Sequence, residues 1–424
     1  MTGLLLATNF ALRGATLVDG TGAPPVPDAL LVVREGKIVS VSRATPQALA
    51  ALPSDTPVAD AAGRWIVPGF VDAHVHAESD ADLEEMLRWG VTSVRLMAED
   101  VAAAAKLAER SRYPASRFPD VFPAAPIFTV RGGWWGTDEP PDANLDRFPA
   151  TPSAARAAVA RARALGSAEI KLMRDDMGWC RDPLPRLPRV APDVAKALLA
   201  EARRLGMRAS VHAPGGADAR AAIADGATAL AHGVLDPLDA KTVAAMKRRP
   251  VFYIPTMDVF EFLADTRAFV DGVLADPAAL AIGREKVARY RARSYSEGYA
   301  KRYPNFESLR SRLPGLYRNL RLLRENGVPI ALGTDMWAFP GLAVSIELDL
   351  YAKAGIPPLE AIRSATQTAA RSLGAERDRG TLEAGKRADF VVLSADPLAD
   401  VKNVRRIEAV YKAGTRFDPA GARP

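Results

Sequence analysis

Between about residues 68 and 378, short apolar runs alternate with alanine-rich stretches, and this alternation constrains the fold more than any other feature of the chain. Ser93-Val94-Arg95-Leu96-Met97, Glu169-Ile170-Lys171-Leu172-Met173, Ala209-Ser210-Val211-His212, Ala229-Leu230-Ala231-His232, Val251-Phe252-Tyr253-Ile254-Pro255 and Ile330-Ala331-Leu332-Gly333-Thr334-Asp335 read as buried strands. The longer stretches 154–165, 191–205, 217–225 and 240–248 read as helices between them. Strands separated by helices pair in parallel, and about eight such units close into a (β/α)8 TIM barrel. A doubly wound open sheet is the competing architecture, but no Gly-x-Gly-x-x-Gly follows any of these strands.

The two ends read differently. Phe10 to Asp19 alternates, Asp19-Gly20-Thr21-Gly22 turns, and Ala29-Leu30-Leu31-Val32-Val33 leads through the tight turn Arg34-Glu35-Gly36-Lys37 into Ile38-Val39-Ser40-Val41. Past the middle, Phe390-Val391-Val392-Leu393 and Ile407 to Gly414 are two more strands. Neither set can enclose a large core alone, so 1–67 and 379–424 are expected to form one discontinuous β-sandwich domain beside a 68–378 barrel.

With 424 residues, 48% hydrophobic and 25% charged, the chain has the composition of a globular protein. No apolar run approaches the roughly 18–20 residues that span a bilayer. Met1 to Thr8 lacks the basic start and apolar length of a signal peptide, which makes a cytoplasmic protein the expectation, although a processed secreted chain reads the same. The single cysteine, Cys180, excludes an intrachain disulfide and a cysteine-rich zinc cluster. The net charge of +6 is scattered along helices, which argues for a solvated surface and against nucleic acid.

There are only four histidines, and His74, His76, His212 and His232 all fall at the C-terminal ends of expected strands, where barrel active sites are built. His74 and His76 sit at i and i+2 after an apolar run, so both face one point, either as half of a metal site or as a polar pair in a turn. Lys171 interrupts an apolar strand. As an ammonium it is costly there, and its neutral amine can take up carbon dioxide to become a two-oxygen carbamate ligand; the plainer reading is a strand-edge lysine with its head in solvent. Asp335 ends its strand, as a ligand or as the N-cap of the segment after it.

With these residues in place the chain resembles the amidohydrolase superfamily over nearly its whole length. The resemblance rests on Leu17-Val18-Asp19-Gly20-Thr21-Gly22, Pro68-Gly69-Phe70-Val71-Asp72-Ala73-His74-Val75-His76, Gly333-Thr334-Asp335 and the run from Gly380 to Leu393. Within it the chain looks most like the branch of prolidase-like Xaa-Pro and Xaa-Arg dipeptidases and imidazolonepropionase-like proteins. That likeness implies a binuclear centre: His74, His76 and Asp335 on the more buried metal, His212 and His232 on the second, and carboxylated Lys171 bridging them with a hydroxide. Two divalent ions are implied, zinc first, with manganese, cobalt or iron as substitutes, and Asp335 as general base. The chain departs from the pattern twice. Val211-His212-Ala213-Pro214-Gly215-Gly216 has no second histidine, and Thr129-Val130-Arg131-Gly132-Gly133-Trp134-Trp135-Gly136 stands where relatives often carry Gly-Gly-His.

Pocket candidates from the same loops are Arg131, Trp134, Trp135, Arg174, Trp179 and Trp337, with Tyr253 as a donor to a developing oxyanion. Aromatic walls suit an apolar or aromatic group, and Arg131 or Arg174 could pair with a carboxylate. The segment from Phe260 to Arg324 exceeds what one βα unit needs and reads as a helical lid or as a longer outer helix. The expected reaction is hydrolysis of an amide in an N-acyl amino acid or dipeptide-like substrate. A lactonase or phosphotriesterase could use the same metals, whereas a ring deaminase would need the His-x-x-Glu that His212-Ala213-Pro214-Gly215 lacks. Small-molecule substrates and a homo-oligomer are expected, without nucleic-acid or membrane partners.

Overall fold

The computed structural model describes residues 9–419 apart from 78, 99, 137–144, 181–183 and 303–305. The first eight residues, where a leader was sought, therefore lie outside the described residues. From the first end come Phe10–Leu17 (β1), Val26–Arg34 (β2), Lys37–Arg43 (β3), Val58–Asp60 (β4) and Trp65–Pro68 (β5). The middle supplies Phe70–Val75 (β6), Val91–Met97 (β7), Asp120–Ala124 (β8), Ile127–Phe128 (β9), Glu169–Met173 (β10), Arg208–His212 (β11), Ala229–Ala231 (β12) and Phe252–Ile254 (β13). The last end adds Phe390–Leu393 (β14), Ile407–Lys412 (β15) and Thr415–Phe417 (β16).

Strands from the two ends join in one mixed sheet, in the order β16-β15-β14-β5-β1-β2-β3 with β4 also on β1. The join is β5 against β14, antiparallel, with Pro68 opposite Phe390 and Trp65 opposite Leu393. Hydrogen bonding thus gives a single eight-stranded sheet and not the two stacked sheets of the expected sandwich. Its own core gathers Phe10, Leu31, Phe390 and Tyr411, the last two rings stacked at 4.3 Å. Two tight turns meet at its rim. Glu35 and Gly36 are both left-handed, as are Ala413 and Gly414, the backbone that two-residue hairpins require. A Cβ on Gly36 would lie 2.6 Å from the Ala413 carbonyl oxygen, so the contact admits only glycine.

The middle is α/β with parallel strands, as its alternation implies. β6, β7 and β8 form one parallel sheet and β9 to β13 another. The expected strand at 330–335 is reduced to an isolated parallel bridge from Ile330 to Tyr253, so the strands do not stand as one closed ring. The reason is where its backbone groups go. Leu332 accepts from Ala73 N–H and Asp335 N–H donates to the His74 carbonyl, which ties the segment to β6, but Leu332 N–H goes to the Ser364 carbonyl and Thr334 N–H to the Asp72 carboxylate, which takes two donors away from a regular ladder. Gly333 permits this approach, since a Cβ there would sit 2.5 Å from Ile254 Cγ2 and 2.9 Å from His74 Cβ.

Helices Pro152–Ala164, Pro192–Arg204, Gly216–Asp225 and Ala240–Arg248 match the expected segments closely. Their ends follow from local chemistry: Thr151 and Asp239 cap two N-termini, and left-handed Gly226 closes a C-terminus. Between β13 and Ile330 the chain inserts helices Met257–Ala264, Thr266–Leu274, Arg284–Arg291, Arg293–Arg302 and Phe306–Glu325. Aromatic residues seat them on the loop after Asp335: Phe262 meets Trp337 edge-on at 5.6 Å, and Tyr290 lies 4.4 Å from Phe339 and accepts its N–H. Among the described residues no helix is long and apolar enough to cross a membrane.

One buried ion cluster fastens the end sheet to the middle. Asp120, at the start of β8, lies 2.8 Å from Arg379, 3.2 Å from Arg387 and 3.0 Å from Lys412. Lys412 is fully buried and also donates to the carbonyls of Ser111 and Phe118. Asp378 and Asp389 pair with the two arginines, so the charges in the cluster balance.

Candidate metal centre

All four histidines meet Asp335 or one another at the C-terminal ends of β6, β11 and β12. His74 and His76 each place Nε2 3.3 Å from Asp335 Oδ1, and His232 Nδ1 lies 3.6 Å from Oδ2. The rings run in sequence, His76 to His74 at 5.5 Å, His74 to His232 at 4.7 Å and His232 to His212 at 4.4 Å. Donor atoms of His74, His232 and Asp335 all fall within 4.8 Å of one another, a spacing that could hold a metal ion. Backbone geometry aims them: His232, Thr256 and Asp335 all have positive φ, at 78°, 44° and 56°. Non-glycine residues in that region cost on the order of 1 kcal/mol each and gather at functional sites.

Burial sets the charge state. His76 is lowered to about 4 mainly by desolvation, and the same cause carries His74 and His232 well below the ordinary imidazole value. Neutral imidazoles are the metal-ligating form. Lys171, 1% exposed, is lowered by burial from 10.5 to about 7 despite the attraction of Asp335, and burial raises the Asp335 carboxyl. Both ring nitrogens of His74, Nδ1 of His212 and Nζ of Lys171 are buried without a hydrogen-bond partner. Buried polar atoms left in that state cost about 1–3 kcal/mol each, and a cation of the kind imidazole binds would take the one lone pair that each neutral ring offers. The donor set therefore fits a divalent metal.

Two carboxylates support this cluster without having been singled out in the sequence. Asp72 accepts from His74 N–H, Thr334 N–H and the Thr334 hydroxyl, so it ties the His74 strand to the segment that ends in Asp335. Burial lifts its carboxyl to about 7. Asp175, just past β10, accepts from Met177 N–H, from Trp179 Nε1 at 2.6 Å and lies 3.0 Å from His212 Nε2. The only sequence signal for Asp175 was its distance from Lys171, and a neighbouring aspartate at 176 shares it.

The pocket residues separate into groups. Trp135, at φ 62° and 37% exposed, stacks on His76 at 4.7 Å, held by a loop whose carbonyl accepts from Arg147. Trp179 meets Phe260 edge-on, and Phe260 in turn meets His232, so this wall touches the centre. Trp337 lies against Phe262. Trp134 packs on Met97, Ala124, Ile127 and Met173. Arg174 is buried in an ion pair with Asp225 at 2.6 Å, because an enclosed guanidinium takes a carboxylate from its own chain, and Arg131 lies over the Phe148 ring. Tyr253 is not brought to the centre. Its neighbour Ile254 packs with Val71, Ala73 and Ala331, whereas Tyr253 turns to the helix side and accepts from Val234 N–H. Period-two alternation along a strand makes the two directions exclusive.

Residues 65–416 match the Amidohydrolase family. The ochratoxinase of Aspergillus niger is 29% identical over 304 residues, which cover 70% of this chain and 55% of that protein, so the match spans about half the length of this curated relative. A solved Xaa-Pro dipeptidase with bound methionine is similar at a TM-score of 0.77 and 20% identity, over 97% of this chain and 100% of that one. A putative prolidase from Bifidobacterium longum is similar at a TM-score of 0.74 and 25% identity, over 99% and 96% of the two chains. With the family match covering most of its length and its strand-end histidines gathered in one buried cluster, the chain belongs to the amidohydrolase family.

Proposed function

We propose that the chain is a binuclear metal-dependent hydrolase that cleaves an amide bond in a small molecule bearing an apolar or aromatic group, such as an N-acyl amino acid or a dipeptide-like compound. The observation that carries this reading is the set of unpartnered nitrogens on His74, His212 and Lys171 in one enclosure. His74, His76 and Asp335 would hold one cation and His212 and His232 the other, with Lys171, neutral and open to carboxylation, as the shared ligand. Zinc suits the imidazoles best, with manganese, cobalt and iron as substitutes. Such a pair of cations, when bound, lowers the pKa of water and polarises a carbonyl. The chain's own groups do the rest. Asp335 would take the proton of the attacking water and return it to the leaving amine. Trp135, Trp179 and Trp337 offer aromatic walls to the apolar part of the substrate and limit the entry of water.

The relative named an Xaa-Pro dipeptidase supports an amide substrate. The scaffold reading is a (β/α)8 barrel over 68–378 beside a discontinuous end domain of 1–67 and 379–424, assembled as a cytoplasmic homo-oligomer. The test is a panel on zinc-loaded protein: N-acyl amino acids with aromatic acyl groups, Xaa-Pro dipeptides, lactones and aryl phosphotriesters, with metal content by elemental analysis. Amide cleavage with two metals per chain is expected. Cleavage confined to lactones or phosphotriesters overturns the amide assignment, and fewer than one metal per chain overturns the centre.

A further inference from the structure

The carboxylate of Asp175 is 5% exposed, and among the described residues its only ion-pair partner is His212. Two of its three contacts come from groups that can only donate, Met177 N–H on Oδ1 at 2.9 Å and the Trp179 indole N–H on Oδ2 at 2.6 Å. The third, His212 Nε2 at 3.0 Å, shares Oδ2 with the indole. Both oxygens already accept from groups that can only donate, and Oδ2, which takes the indole N–H, is the acceptor that faces Nε2 as well. His212 is then the Nε2–H tautomer, with its lone pair on Nδ1. That is the atom found buried without a partner.

We propose that Asp175 is a positioning residue that holds His212 in the Nε2–H tautomer, directs Nδ1 at the second metal, and ties that ligand to Trp179 on the loop beside the pocket. The proposal rests on the two-metal reading of the site. A carboxylate behind a ligating imidazole fixes ring orientation and raises ligand basicity, and its loss commonly costs 10–100-fold in metal affinity. The coupling runs both ways through one oxygen. Trp179 packs on Phe260, and Phe260 on His232, so both imidazoles assigned to the second metal rest on the same loop contacts. Neighbouring Asp176 is excluded from this role, because Arg186 and Arg189 occupy it.

The test uses zinc-loaded full-length protein labelled with 15N-histidine. With only four histidines to assign, His212 is identified by the signal lost in His212→Asn. The expected pattern is a protonated Nε2 and a metal-bound Nδ1; a protonated Nδ1 with metal on Nε2 overturns the proposal in the wild-type protein, without recourse to a variant. Chelator competition then measures the weaker zinc. Asp175→Ala should weaken it about 10–100-fold and leave the tighter zinc unchanged. Trp179→Phe, which removes the second donor and keeps the carboxylate, should change it less than about threefold. Unchanged affinity in Asp175→Ala, or an equal loss in Trp179→Phe, refutes the role. Retention of two zincs by His212→Asn would instead refute the two-metal reading itself.

Discussion

Replacing Lys171 with methionine should make the metal-free protein more stable while removing its capacity for two metals. Burial lowers the amine from 10.5 to about 7, so a protein held below pH 7 carries the full cost of keeping a charged ammonium buried. At about 1.36 kcal/mol for each pH unit, that cost is about 5 kcal/mol. The sign is set by protons: the unfolded chain binds one that the folded chain releases above pH 7, so stability rises with pH between 7 and 10.5. Lys171→Met deletes the proton and keeps much of the volume. Urea unfolding in the presence of a strong chelator should show the variant more stable by about 4 kcal/mol at pH 7, where the amine is half neutral, and by about 2 kcal/mol at pH 9. A variant no more stable than wild type at pH 7, or an advantage that does not shrink with pH, would refute the reasoning. Zinc content measured alongside should fall to one ion per chain or fewer.

Lys171→Ala should lose turnover and regain part of it with added short carboxylates, which can stand where the carbamate would; rates unchanged from wild type would remove Lys171 from the site. Asp335→Asn should retain much of its zinc yet lose turnover by at least about a hundredfold, as expected for a proton-transfer group, and wild-type kcat would exclude it as the base. Gly333→Ala drives a methyl into Ile254 and His74, so zinc affinity should fall even where circular dichroism shows a folded protein. Asp120→Asn leaves Arg379, Arg387 and Lys412 short of a buried counter-charge, which should cost about 3–5 kcal/mol in urea unfolding; a loss under about 1 kcal/mol would show that the cluster is not needed for stability.

The parallel strands, the intervening helices and the histidine cluster were legible because each leaves a local mark: period, capping residues and an ionisable group at a strand end. Pairing between strands leaves no such mark. Whether the two chain ends form one sheet or two depends on β5 meeting β14, a contact between segments whose own patterns say only that each is a strand. The segment at 330–335 read as an ordinary strand, and its loss of a regular ladder comes from the Ser364 carbonyl and the Asp72 carboxylate taking two of its donors, which is a tertiary event. Among the site residues, Tyr253 shows the limit of placement by strand end: one step of register sends it to the helix side. Arg174 was readable as a polar group near the site, but not as a group already paired with Asp225. Asp175 acquires its importance from a ring nitrogen of His212, on another strand, and no local pattern announces that.

The β5–β14 pairing also bears on when the site can come into being. β5 runs directly into the strand that carries His74, and the partner that pins it is made only after the whole α/β middle has been synthesised. Pairings so distant in sequence close slowly, because the loop entropy is lost before the contact is gained. During translation β5 therefore waits beside a growing middle with the edge that β14 covers unsecured. That exposed edge is a hazard for association with other chains through that interval. Locking of the histidine cluster is accordingly expected as a late step of folding, and its rate as one limited by docking of β14 on β5.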